Sequence, residues 1–348
     1  MQVLCRKNSK RSMEKQLIVS YVCIVLSLLS ALRGVYPQRT FIVAKDGSGN
    51  FTTISQAISA APNYSSKITY IEIRAGIYHE NVFIPKEKIN LYLVGDGIDK
   101  TRISGDRSTN MGFPTYETAT VGVVANGFVA KEVTFENTAG VNMNQSVAVR
   151  IEGLYSAFYR CRFLGYQDTL YVGHGIQFFR ECDIYGTVDF IFGESRALFQ
   201  NCNVYARRPR QGQSNTITAQ GRESENPFSG IVMQNCTIAA APDLLPRFHV
   251  RSYLGRPWHN YSTTVIMQSF LDKLIDPRGW LEWAGPGHGV DKVYYAEYDN
   301  RGPGANTSSR VKWAHTIKYR EANKFTARNF IQGQKWIGLT KIPYYLDL

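Results

Sequence analysis

The chain has 348 residues, 44% of them hydrophobic and 13% aromatic. That is enough apolar side chain for one large core or two modest ones, and it excludes a disordered polymer. The formal charge of +12 falls to +7 once the six basic and one acidic side chains of residues 1–34 are set aside. A basic chain attracts polyanions, but the remaining Lys and Arg are scattered over what reads as a solvated surface, without the dense run that would point to nucleic acid.

Arg6, Lys7, Lys10, Arg11 and Lys15 precede an apolar run from Leu17 to Leu32 and the small residues Ser30, Ala31 and Gly34. This order reads as a secretory signal peptide ending near residue 34, with 35–348 as one mature domain. The rival reading is an uncleaved anchor, yet the 16-residue run is shorter than the roughly 20 residues of a membrane span. With the leader removed, no stable membrane association is expected. Cys5 and Cys23 lie in the leader, so the mature chain keeps Cys161, Cys182, Cys202 and Cys236, an even number with three possible pairings. Glycosylation sequons begin at Asn50, Asn63, Asn144, Asn235, Asn260 and Asn306, which fits an extracellular glycoprotein.

After the leader, "FTTISQAISAAP" carries helical signals: Thr53 as cap, Ile54, Ala57, Ile58 and Ala61 at helical spacing, and Pro62 as stop. Nearly everything beyond it reads as short β runs punctuated by Gly and Asn. Aligned on their cysteines, "FYRCRFLGYQDTLY", "FFRECDIYGTVDFIF", "LFQNCNVYARR" and "IVMQNCTIAAAPD" repeat an apolar residue three before the Cys (Phe158, Phe179, Phe199, Met233) and another two after it (Phe163, Ile184, Val204, Ile238). "VAKEVTFENTAG" fits the same frame through Val133 and Phe135. Steps of 21, 20 and 34 residues between cysteines predict an all-β parallel solenoid, a β-helix of stacked coils behind a short N-terminal helix, with the long step reading as a loop over 207–230. The stacked cysteines are either disulfides between adjacent coils or free thiols in a buried ladder.

Asp168 and Asp189 each lie seven residues after a cysteine, with Gly165 and Gly186 at one shared earlier position. Coil stacking therefore puts two carboxyls about one strand spacing apart, roughly 4.8 Å, among aromatic neighbours. Such a pair cannot ionise twice cheaply: one keeps its proton and the other stays anionic, which is an acid beside a nucleophile or base. A coil-turn aspartate bonded to backbone is the structural alternative, and it is the reading kept for Asp243 in "AAPD". Carboxylate pairs serve glycoside hydrolysis and acyl transfer alike. Gln167 and Gln145 are uncharged amide donors of the kind an oxyanion hole requires, which favours reaction at a carbonyl. In "YLGRPW", Arg256 offers a fork for a carboxylate and Trp258 a face for a sugar ring.

Five stretches in order, "GIYHENVFIPKEKINLYLVGDG", "NTAGVNMNQSVAVR", "GYQDTLY", "GTVDFIFG" and "LGRPW", resemble plant pectin methylesterases, and residues 40–345 are similar to that catalytic domain. The resemblance implies a right-handed parallel β-helix that hydrolyses methyl esters of galacturonate units in cell-wall pectin without a cofactor. It implies Asp189 as nucleophile, Asp168 as general acid and then base, Gln167 and Gln145 as oxyanion donors, and Arg256 as the residue orienting Asp189. Thr115, Gln145, Tyr171, Arg256, Trp258 and Trp280 would contact substrate. A proteinaceous inhibitor is an implied partner, and a secreted, wall-located monomer is expected. Only about forty residues precede the domain, which resembles the form without an inhibitor-like pro-region. Two departures from the family wording, Val141 after "NTAG" and Ser146 after Gln145, create the Asn144 sequon beside the expected cleft.

Other chemistry has less support. The six His lack ligand spacing for zinc, and no G-x-S-x-G serine elbow occurs. A pectate lyase or polygalacturonase on the same fold would need a calcium-binding carboxylate cluster, or three carboxylates with a His. A wall-binding solenoid without activity would have no use for the Asp, Gln and Arg set.

Overall fold

The computed structural model describes residues 39–226, 228–245, 250–283 and 289–348. The expected leader, with Cys5 and Cys23, lies outside them. Residues Thr40–Leu348 form one compact unit, wound as a parallel β-helix with three sheets of eleven, seven and eight strands.

The repeat frame of the sequence is the register of the sheets. Strands Ser156–Tyr159, Ile176–Arg180, Arg196–Gln200 and Gly230–Gln234 pair in parallel with Phe158, Phe179, Phe199 and Met233 side by side. The second apolar position does the same in the eight-stranded sheet, where Phe135, Phe163, Ile184, Val204 and Ile238 are neighbours. These residues point inward and are fully buried. Phe158, Phe179 and Phe199 stack almost flat, with ring centroids 5.0 and 4.3 Å apart. Each ring taken from water stabilises the fold by about 1.5–3 kcal/mol, so the column ties neighbouring coils together.

Each coil turns a corner on a left-handed residue just before its cysteine: Arg160, Glu181, Asn201 and Asn235 have φ between 50° and 54°. The four cysteines are buried and unbridged. Sγ of Cys182 approaches the carbonyls of Arg180 and Phe158 at 3.4 and 3.5 Å, and Cys202 and Cys236 repeat that pattern one coil on. Equivalent positions on parallel coils project in parallel, which holds their Cβ atoms near the roughly 4.8 Å strand spacing. A disulfide wants about 3.5–4.5 Å, so the free-thiol ladder is the arrangement realised.

The N-terminal helix, α1 (Ile54–Ala60), forms where its sequence predicts, with the Thr53 side chain accepting from the Gln56 amide and Ile54, Ala57 and Ile58 buried. Glu80 accepts from the amides of Ile54 and Ser55 at the same end, where a carboxylate suits the unpaired N–H groups.

Two features differ from expectation. The stretch 207–230 is not simply a loop: Asn215–Gln220 is a fully buried strand of the seven-stranded sheet. The C-terminal segment also forms short helical turns, including Tyr319–Ala322 and Ala327–Phe330. Their Phe325, Phe330, Ile331 and Trp336 cover the outer face of the eleven-stranded sheet, packing in one apolar cluster with Phe178, Leu198, Val232 and Val265. That sheet is buried on both sides, so its strands read as continuous apolar runs rather than alternating ones.

Candidate active site

The site sits on the seven-stranded sheet, at the corner where each coil enters it. Leu170 pairs with Ile191 in register, and two residues earlier Asp168 and Asp189 take left-handed φ values of 63° and 50°. The shared glycines are demanded by close approach. A Cβ on Gly165 would meet Thr169 Oγ1 at 2.6 Å, and one on Gly186 would meet Phe190 Cβ at 2.2 Å. The corner thus folds back on its own strand and directs both carboxyls into one cavity of about 290 Å³.

The two acids have different surroundings. Asp189, 5% exposed, accepts a fork from Arg256, with Nε to Oδ1 at 2.8 Å and the terminal nitrogen to Oδ2 at 2.6 Å. Thr216 Oγ1 donates to Oδ1 at 2.7 Å and in return accepts from the Asp189 amide at 2.9 Å. Arg256 is itself placed by the ring of Trp283, 4.1 Å beneath its guanidinium. Asp168 is 8% exposed, and its carboxyl has no hydrogen bond among the described residues. Burial and the neighbouring Asp189 charge push it well above the usual carboxylate range, against a smaller opposing effect of Arg256. A carboxyl whose ionisation is disfavoured therefore stands beside one clamped by a guanidinium.

Gln145, Gln167, Thr115, Tyr171 and Trp258 line the same cavity, together with Tyr116, Phe192, Ala219 and Trp283. Gln145 is clamped twice by Thr109, whose hydroxyl donates to Oε1 at 2.9 Å and whose amide donates to the Gln145 carbonyl at 3.1 Å. With Oε1 so engaged, the amide nitrogen is the end left to donate. Tyr171 lies flat on Phe192, centroids 4.4 Å apart, making an aromatic wall that Trp258 meets edge-on at 6.1 Å. Among the described residues no group of three or more His, Cys, Asp or Glu could hold a metal ion.

Residues 40–334 match the family described as Pectinesterase. The chain belongs to that family. It is 47% identical over 311 residues to "Probable pectinesterase/pectinesterase inhibitor 12" of Arabidopsis thaliana, an alignment covering 88% of this chain and 57% of that protein. To "Pectinesterase 2" of Citrus sinensis it is 48% identical over 312 residues, covering 88% and 60%. The chain thus spans somewhat more than half the length of these curated relatives. Among solved structures, the pectin methylesterase from carrot superposes with a TM-score of 0.88 at 45% identity, covering 90% of this chain and all of that one.

One pectinesterase-like contact needs correction. Trp280 does not line the cavity: it is 1% exposed in the main core, edge-on to Tyr295 at 4.9 Å, and its backbone bridges Gly255. The indole of this stretch that lines the cavity, beside Trp258, is Trp283, three residues later in "GWLEWAG". A single bridging residue has no periodic pattern to say which way it faces. Phe192, by contrast, was readable, since it lies one coil step beyond Tyr171 and pairs with it. Thr216 and Thr109 were not, because both belong to segments outside the repeat frame. Asp243, kept as structural, lies at the surface 3.4 Å from Arg207.

Proposed function

We propose that this protein demethylates galacturonate esters of cell-wall pectin through an aspartyl acyl-enzyme. An Asp189 oxygen attacks the ester carbonyl, and the resulting oxyanion takes hydrogen bonds from the amides of Gln145 and Gln167. Asp168 gives its proton to the departing methoxide, which leaves as methanol as its bond to the acyl carbon breaks, and the acyl group stays on Asp189 as an anhydride. Asp168, now a base, takes a proton from water, whose oxygen attacks the acyl carbon; the bond to Asp189 breaks to regenerate its carboxylate, and the sugar's new carboxylic acid loses the second water proton to solvent. Arg256 and Thr216 hold Asp189 for attack, while Thr115, Tyr171 and Trp258 supply the surface for the sugar. The observation that carries this reading is the asymmetry of the pair, a proton-retaining Asp168 beside an Arg-clamped Asp189, in a cavity with two side-chain amides.

The same reading includes secretion to the wall after loss of the leader, action as a monomer, and recognition by a proteinaceous inhibitor. It also includes an unmodified Asn144. That residue has φ 55° and donates from Nδ2 to Asn110 at 2.7 Å, while Ser146 of its sequon is buried, directly beside Gln145. A glycan there would obstruct the polymer, and peptide mapping of active protein that finds full occupancy at Asn144 would contradict this.

Incubation with methylated pectin separates the alternatives. Methanol without new chain ends is the expected result. Reducing ends without methanol would mark a polygalacturonase, unsaturated ends a lyase, and no product at all a binding solenoid.

A further inference from the structure

The loop that brings Thr115 and Tyr116 to the cavity has a fixed base. The side-chain nitrogen of Asn137, which is 3% exposed, donates to the carbonyls of Arg107 at 2.9 Å, Thr118 at 3.2 Å and Val147 at 3.1 Å. One buried amide thus ties both ends of the loop to the segment that follows Gln145. Inside the loop, Thr109–Met111 forms a single helical turn that ends on Gly112, whose φ of 87° lies in the left-handed region that glycine enters without strain. The turn therefore offers fixed atoms to whatever packs against it.

Residues 142–145 are what packs there. Asn110 donates from Nδ2 to the Asn142 carbonyl at 3.3 Å, Asn144 donates from Nδ2 to Asn110 Oδ1 at 2.7 Å, and the Thr109 amide donates to the Gln145 carbonyl at 3.1 Å. These three bonds dock the backbone. A fourth, from the Thr109 hydroxyl to Gln145 Oε1 at 2.9 Å, reaches the group that the proposed reaction uses. A carboxamide can turn either its oxygen or its NH2 toward a reacting carbonyl, and only the NH2 stabilises an oxyanion. Such a donor contributes most when it is in place before the charge develops. Gln167, the other amide of the proposed oxyanion hole, has no side-chain hydrogen bond among the described residues, so the two donors are held unequally.

We infer that Thr109 is a positioning residue for the reaction: its hydroxyl holds the oxygen of Gln145, so that the NH2 faces the cavity before an ester arrives. This rests on the esterase reading. The test follows initial rates of methanol release across a range of methylated pectin concentrations. Thr109→Val keeps the shape and the backbone bond but loses the hydroxyl, and it should lower kcat about tenfold with KM near native, because the oxyanion forms only on the way to the transition state. Thr109→Ala, which cannot overpack, should match it, and Thr109→Ser should recover most of the rate. Asn110→Ala loosens the docked turn but spares the hydroxyl, so kcat should stay within about twofold of native. In a Gln145→Ala background, Thr109→Val should lower kcat no further, since the two side chains act as one unit. Native kcat in both Thr109→Val and Thr109→Ala would overturn the inference, as would a rise in KM in place of the fall in kcat. So would an equal loss in Asn110→Ala, or a full tenfold loss in the Gln145→Ala background. Native protein that releases no methanol would overturn the esterase reading and this inference with it.

Discussion

Two corners of each coil use the same backbone device to opposite ends. At the first, left-handed Arg160, Glu181, Asn201 and Asn235 turn the chain so that the following cysteine drops into the core, where its thiol is satisfied by carbonyls of its own and the preceding coil. At the second, left-handed Asp168 and Asp189 are themselves the corner, and their carboxyls enter a cavity rather than the core. A non-glycine residue in this conformation costs about 1–2 kcal/mol. At the thiol corner, packing of the ladder offsets that cost. At the aspartate corner the burial of two carboxyls adds to it, and only Asp189 is compensated, by Arg256 and Thr216. The same turn is therefore structural where the side chain finds partners in the adjacent coil, and chemically poised where one acid is left without any.

The comparison can be broken most severely at Asp189. Asp189→Asn should lower methanol release by about 10⁴-fold or more while the circular dichroism spectrum is kept, because the nucleophile alone is removed; retention of most activity would take Asp189 out of its role. On the structural side, Phe179→Ala should cost about 3–5 kcal/mol in denaturant unfolding, through the cavity left in the stacked column, with activity per folded molecule preserved. A smaller change is expected from Cys202→Ala, about 1–2 kcal/mol, and reductant should leave the unfolding midpoint of the native protein where it was. A midpoint lowered by reductant would mean that the ladder is bridged.

The smallest expected effect has the opposite sign. Asp168 has its carboxyl raised in the folded state relative to the unfolded chain, so the folded state binds more protons between the two values. Its stability contribution is full below the unfolded value and is lost as pH rises through the folded one. Asp168→Asn, which cannot ionise, should therefore abolish turnover and yet stabilise the fold by about 0.5–2 kcal/mol, with the gain over native protein increasing with pH. A gain that shrinks as pH rises would contradict the protonation assigned to Asp168.

Much of this was legible in the residues. The apolar positions around each cysteine are set by the solenoid's own geometry, since a coil that repeats must present the same side chain inward at the same step. Phe158, Phe179 and Phe199 could therefore be placed in one column, and Asp168 over Asp189, before any coordinates. The strand Asn215–Gln220 escaped because it lies in an irregular coil between turn formers, where no second copy establishes its register. The C-terminal cover escaped because its helical turns are only four residues long; they are held by the apolar face of the sheet they rest on and not by propensity.

What the residues alone decided was periodicity, and with it which positions are neighbours, because in a parallel stack a constant step in the chain is a constant displacement in space. What only the tertiary structure decided was direction and partnership: that Trp283 and not Trp280 enters the cavity, that Thr216 and Arg256 converge on one aspartate of the pair, and that the thiols remain apart. Those outcomes depend on side chains contributed by bridges and irregular coils, whose orientation is determined by packing against elements far away in the chain.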